Sequence, residues 1–262
     1  VSIFRIDKYI FILFCFFGNT TAFALNIMID PGHGGYDAGA VRDGTKEADL
    51  VLKIAHLLKA QLEKDSQFNV SLTRTTDTNL SLPSRVEMAE KIKADLFISL
   101  HANSANDRRA KGVEFFFQNT LPYDEESLLL SSQENQMLIS NKEILNISGG
   151  EDLSKKGDLT AIIEDLHRQN RMNESLHLSK SLTQVWQTNF PMTQAVIKQA
   201  PFFVVSKTTM PAVLIEIGFL TNPRDLKNLL NSDFQNKIAK KIYAAIVSYK
   251  EKMDNGTTNS LD

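Results

Sequence analysis

The chain has 262 residues, of which 42% are apolar and 23% charged, with a formal net charge of -2. That length and composition describe a globular protein able to bury one good core, and they predict a single large domain. The near balance of charge, with no dominant Lys/Arg stripe and no recognition motif, argues against a nucleic-acid partner.

Arg5 and Lys8 precede an apolar run from Tyr9 to Phe17, and a polar stretch then leads to Ala22, Phe23 and Ala24. These three parts predict a secretory signal peptide over 1–24, cleaved after Ala24, and so a periplasmic or secreted protein. The apolar run is shorter than the roughly 20 residues that a bilayer span needs, so no membrane span is expected after cleavage. Cys15, the only cysteine, lies in this segment, which excludes thiol catalysis and cysteine metal sites from the mature chain.

From Leu25 onward strands and helices alternate. Leu25–Asp30 reads as a buried strand, Glu47–Leu62 as an amphipathic helix and Phe68–Arg74 as a strand. Pro83 suits the first turn of a helix running to about Lys93, and Asp95–Leu100 and Gly112–Gln118 read as strands. Between about Tyr123 and Asn189 the pattern turns helical, with helices expected over Leu128–Ile147 and Leu159–Gln187 and breaks at Gly149-Gly150 and Gly157. This predicts a helical insertion over about 123–170, laid on the sheet as an arm or lid. Phe202–Val205 and Ala212–Ile217 read as strands, Asp233 as the cap of a closing helix to about Met253, and 254–262 as a disordered tail. The alternation predicts an α/β single domain over 25–253, with a mostly parallel twisted sheet, helices on both faces and functional groups near strand ends.

Four residues stand where a strand runs out or a helix begins: His33, Glu47, His101 and Glu216. Two imidazoles and a carboxylate are a common set for catalytic zinc, with a further unliganded glutamate as proton acceptor, so their types suggest a zinc hydrolase. His33 lies in a tight turn between glycines after the first strand, and His101 ends an apolar strand. Glu216 sits in the apolar strand Ala212–Ile217, where a carboxylate is costly unless it is paired or functional. Glu47 is locally ambiguous, because a carboxylate at a helix start is also favoured by the helix dipole. His56, His167 and His177 fall among polar residues and read as solvated surface.

Six ordered segments, DPGHGGYDAGA at 30–40, KEADL at 46–50, TRTTD at 73–77, LPSRV at 82–86, ADLFISLHAN at 94–103 and MPAVLIEIGFLTN at 210–222, resemble the zinc-dependent N-acetylmuramoyl-L-alanine amidases of the type 3 family. The resemblance implies that His33, Glu47 and His101 hold one Zn²⁺ and that Glu216 is catalytic. It implies hydrolysis of the amide between N-acetylmuramic acid and L-alanine in peptidoglycan, in cell separation and wall remodelling. The insertion is similar to that family's regulatory segment, which covers the site until an activator with a LytM-type domain displaces it; Glu134 is the expected fourth, autoinhibitory ligand. Asn103, Arg74 and Arg85 are expected to bind substrate or to brace carboxylates, and the protein is expected to be a monomer. The alternatives are another zinc peptidoglycan hydrolase, a carboxypeptidase or deacetylase, and a non-catalytic wall-binding regulator.

Overall fold

The computed structural model describes residues 24–118, 124–138, 158–188 and 194–258. The expected signal segment, the tail beyond 258 and the centre of the insertion, 139–157, lie outside the described residues. No helix among the described residues is long and apolar enough to cross a membrane.

Six strands form one sheet: β1 (Leu25–Pro31), β4 (Phe68–Leu72), β5 (Leu96–Asn103), β6 (Val113–Gln118), β7 (Ala195–Ala200) and β8 (Ala212–Phe219). Two short strands, β2 (Val41–Arg42) and β3 (Thr45–Lys46), pair with each other outside it. The order across the sheet is β4-β1-β5-β8-β6-β7. The first four strands run parallel; β6 pairs antiparallel with β8 and parallel with β7. The sheet is thus mostly parallel, as the alternation predicts.

One face is covered by α1 (Glu47–Leu62), α4 (Asp158–Trp186) and α7 (Ser232–Thr258), which close over Ile27, Ile29, Ile98, Leu100, Val213 and Ile215. α1 forms where predicted because Leu50, Val51, Ile54, Ala55, Leu58 and Leu62 recur at helical spacing and are all buried. Acidic Glu47 and Asp49 occupy its first turn, which suits the positive end of the helix dipole. The opposite face receives α2 (Leu82–Lys91), α3 (Glu125–Glu134) and α5 (Phe203–Lys207), over Met28, Phe97, Phe116 and Leu214. Ser81 caps α2, and Asn222 caps the short α6 (Pro223–Leu229).

Three expectations are corrected. Phe202–Val205 is not a strand: Pro201 follows β7, and Phe203–Lys207 turns into α5, whose first N–H is taken by Asn135 Oδ1 at 2.9 Å. A four-residue apolar run fits a buried strand or a buried helical turn equally well, and here the proline breaks the extended chain. The edge strand is the preceding Ala195–Ala200. The closing helix is capped by Asn231, whose Oδ1 accepts from Phe234 N at 3.0 Å, so Asp233 lies inside the first turn. That helix also runs on to Thr258, beyond the expected end near Met253.

α4 divides into two halves by burial. Residues from Thr160 to Asn170 with a described side chain are exposed, whereas Leu178, Leu182 and Trp186 are buried against the sheet, Trp186 edge-to-face with Phe115 at 5.7 Å.

Candidate metal centre

β1 delivers the chain into Pro31-Gly32-His33-Gly34-Gly35, a turn that crosses the C-terminal end of the sheet. His33 adopts a left-handed backbone, φ +57°, which is uncommon for a residue with a side chain. Gly32 must be glycine because a Cβ there would lie 2.3 Å from the His101 imidazole. Buried arginines hold the turn in this shape. Arg74 donates to the carbonyls of Pro31, Gly32 and Ala48, and Arg85 donates to those of Pro31 and His33.

Arg85 also meets Asp30 at 2.7 Å, and Asp30 accepts from Thr73 and Ser99 hydroxyls at 2.6 and 2.9 Å. Burial works against the Asp30 charge, but the Arg85 guanidinium holds its carboxyl below the usual range. Arg74 and Arg85 therefore brace the loop, Arg85 also bracing the Asp30 carboxylate as one of its two expected roles, and Arg85 in addition walls the cavity at the centre. Replacing Arg85 with methionine leaves a buried carboxylate without its cation, and the expected loss is about 3–5 kcal/mol of unfolding free energy, read by urea denaturation.

The four residues predicted from the sequence come together. His33 Nε2 and His101 Nδ1 each lie 3.1 Å from Glu47 Oε1, and their rings sit 4.9 Å apart. Glu134 Oε2, brought in by α3, is 3.4 Å from His33 Nε2 and 3.5 Å from His101 Nδ1. Tetrahedral ligands held about 2.0–2.2 Å from one ion stand roughly 3.3–3.6 Å apart, so the Glu134 separations fall within the range for a single divalent cation and the Glu47 separations slightly below it. His33, His101 and Glu134 present ligand atoms all within 4.8 Å of one another. Glu47 nevertheless approaches both imidazoles more closely than Glu134 does, and main-chain N–H groups fix its two oxygens: Ala102 on Oε1 and Ala40 on Oε2, each at 2.9 Å. Glu47 is accordingly the built-in carboxylate and Glu134 the one carried on a separate element.

His33 Nδ1 meets Asp37 Oδ2 at 2.8 Å, which turns Nε2 toward the cluster; that nitrogen is buried and has no hydrogen-bond partner among the described residues. Asp37 was not singled out in the sequence, although its place four residues after a histidine in a tight turn is a usable signal. Burial opposes the Glu47 charge, but His33 and His101 beside it hold the carboxyl low.

Glu216 is 1% exposed and stands in register with His101 on the neighbouring parallel strand. Its Oε2 is buried without a hydrogen-bond partner among the described residues. Burial, with Glu47, Glu134 and Glu114 nearby, pushes its carboxyl well above the ordinary value. Asn103 is turned to Glu114, Nδ2 to Oε2 at 2.9 Å. A cavity of about 200 Å³ opens on the centre, walled by His33, Asp37, His101, Glu134 and Phe203. His56 Nε2 donates to the Thr75 carbonyl at 3.0 Å on the surface, and His167 and His177 are exposed on α4, away from the cluster.

An α/β sheet that gathers two imidazoles, a fixed carboxylate and an unpartnered glutamate at its strand ends defines a hydrolase-like centre suited to a divalent ion. Comparison with known proteins makes the assignment specific. The family model described as N-acetylmuramoyl-L-alanine amidase matches residues 27–248. N-acetylmuramoyl-L-alanine amidase AmiA of Salmonella typhimurium is 33% identical over 231 residues, 87% of this chain and 77% of that protein. AmiA of Escherichia coli is 32% identical over 236 residues, 89% of this chain and 79% of that protein. Among solved structures, amidase AmiC2 of Nostoc punctiforme superposes with a TM-score of 0.62 at 25% identity, covering 87% of this chain and 97% of that one. The chain belongs to the N-acetylmuramoyl-L-alanine amidase family.

Proposed function

We propose that this amidase hydrolyses the amide between N-acetylmuramic acid and L-alanine in peptidoglycan, using zinc, and that α3 keeps it inactive until a partner removes it. The observation that carries the reading is the meeting of His33, Glu47 and His101 beside the buried, unpartnered oxygen of Glu216. Zn²⁺ held by those three ligands would polarise the scissile carbonyl and bring the pKa of a water toward neutrality. Asp37 keeps His33 Nε2 free to bind, and Ala40 and Ala102 fix Glu47 in place. Glu216 takes the proton of the attacking water and delivers it to the leaving amine of L-alanine. The C–N bond then breaks to a carboxylic acid on the lactyl group and a free amine on the stem peptide.

Glu134 reaches the same imidazoles from α3 and so stands where a substrate carbonyl has to enter. A LytM-type activator that draws α3 away would open the centre. Ile162, Ile163 and Leu166, 56%, 44% and 58% exposed on the projecting half of α4, offer such a partner an apolar foothold. Export by a signal peptide and a role in cell separation complete the reading. Metal analysis together with digestion of muropeptides tests it: intact stem peptides are expected as product, whereas release of a single amino acid or of acetate would identify a carboxypeptidase or a deacetylase instead.

Metal uptake also has an expected pH signature. In the metal-free protein burial lowers the His33 imidazole, but Glu47 and Asp37 more than offset this and raise it to about 11 from 6.5. That proton must leave when Nε2 takes a metal, so affinity rises with pH through the neutral range and falls on acidification. Titration calorimetry in buffers of different ionisation enthalpy is expected to read at least about one proton released per zinc near neutral pH.

A further inference from the structure

Polar groups run in a row across one face of the sheet. His101 on β5 is in register with Glu216 on β8, and Glu216 with Glu114 on β6. On β7, Lys198 pairs with Phe116, two residues along β6 from Glu114, so alternation along the strand places it on the same face. Lys198 is 9% exposed. Its ammonium lies 2.8 Å from Glu114 Oε1, 3.7 Å from Glu126 Oε2 and 3.8 Å from Asp124 Oδ2.

Only Glu114 among these three carboxylates belongs to the sheet. Glu126 is in α3 and Asp124 is the residue that caps it, so both travel with the arm. A cavity of about 380 Å³ opens beside them, walled by Asn103, Glu114, Glu126, Gln133 and Lys198. Gln133 also walls the cavity at the metal centre, so the two spaces lie side by side beneath the same helix. One ammonium facing three carboxylates has more anionic neighbours than a structural ion pair requires, and two of them leave when α3 does.

We propose that Lys198 is a carboxylate-recognition point for the stem peptide, filled at rest by Asp124 and Glu126 and given over to the substrate when α3 moves away. The proposal rests on the amidase reading and adds to it the group that recognises the peptide side of the bond. From Glu216 to Lys198 the sheet steps over two strands and about two residues, roughly 12 Å between backbones at a strand spacing of about 4.8 Å and a rise of about 3.3 Å per residue. An extended peptide covers that distance in about three residues. The recognised carboxylate therefore belongs to a stem residue downstream of the scissile amide, and the arm's acidic residues occupy its place in advance.

The test uses the full chain with Glu134→Ala, which removes the inhibitory carboxylate, and muropeptides whose stem carboxylates are either free or converted to carboxamides. Because a charge-assisted contact is at stake, kcat/KM is expected to be about ten- to a hundredfold higher on the free acids, chiefly through KM. Adding Lys198→Met is expected to erase that preference while leaving turnover of the carboxamide substrate, and Lys198→Arg to retain it. Loosening of the arm alone would change both substrates equally, so the ratio isolates recognition. A preference that survives Lys198→Met, no preference in the Glu134→Ala protein, or loss of both substrates on Lys198→Met overturns the subsite and leaves the amidase intact. No turnover of either substrate before Lys198 is touched overturns the amidase reading, and the subsite with it.

Discussion

Glu216→Gln is expected to bind zinc with unchanged stoichiometry and to lose turnover of muropeptides by about a hundred- to ten-thousandfold, the usual contribution of a positioned proton carrier. Glutamine keeps the shape of the side chain and removes its ability to accept a proton. The proposed ligands His33, Glu47 and His101 come from the β1 turn, α1 and β5, and among the described residues no hydrogen bond to the Glu216 carboxylate places them. Removing a carboxylate whose charge is disfavoured by burial and by Glu47, Glu134 and Glu114 should also leave the fold at least as stable. Zinc content by atomic absorption, a thermal melt and single-turnover digestion separate the three quantities. Near-normal hydrolysis by a folded, zinc-replete variant would reject Glu216 as the proton carrier.

Glu134→Ala is expected to raise basal turnover without any partner by about ten- to a hundredfold, the equilibrium shift that follows from losing one charge-assisted contact. The helix has other attachments. Leu130 is buried with Phe97, Phe116 and Leu214, and Asn135 bonds to Pro201 O and Phe203 N at 2.9 Å each, so α3 is expected to stay docked for part of the time and activation to be incomplete. Replacing Glu125 to Gly157 with a short Gly-Ser bridge is expected to go further. Initial rates on purified peptidoglycan, taken with a melt to show that the variants fold, check both. Unchanged or lower activity in folded protein would reject autoinhibition by this helix.

Much of the framework was legible because it rests on local periodicity. The bounds of α1 follow directly from its buried positions, and β1, β5 and β8 are apolar runs that only a two-sided core explains. The edge was less legible: Ala195–Ala200 mixes Val196 and Ile197 with Lys198 and Gln199, as an edge strand half covered by an arm does, while the apolar run that follows belongs to a helical turn. At the site, His33, His101 and Glu216 were marked by their strand ends. Glu47 was not distinguishable from a helix-start carboxylate until family resemblance singled it out. Arg74 and Arg85 carry two expected roles because residue type alone does not separate them; the carbonyls and the Asp30 carboxylate that the fold turns toward them supply the bracing one.

The position of β8 also bears on when the centre can exist during folding. It lies between β5 and β6, with Phe97 aligned to Ala212 and His101 to Glu216, so strands far apart in sequence must meet at the middle of the sheet. Pairings of that range close late, because the entropy of a long loop is lost before any contact compensates it. A nascent or partly folded chain that has already formed the β1 turn and α1 still lacks the strand carrying Glu216. If Glu216 is the proton carrier proposed above, a chain in which β8 has not yet paired between β5 and β6 lacks that group, and hydrolytic competence is expected to depend on the longest-range pairing of the sheet.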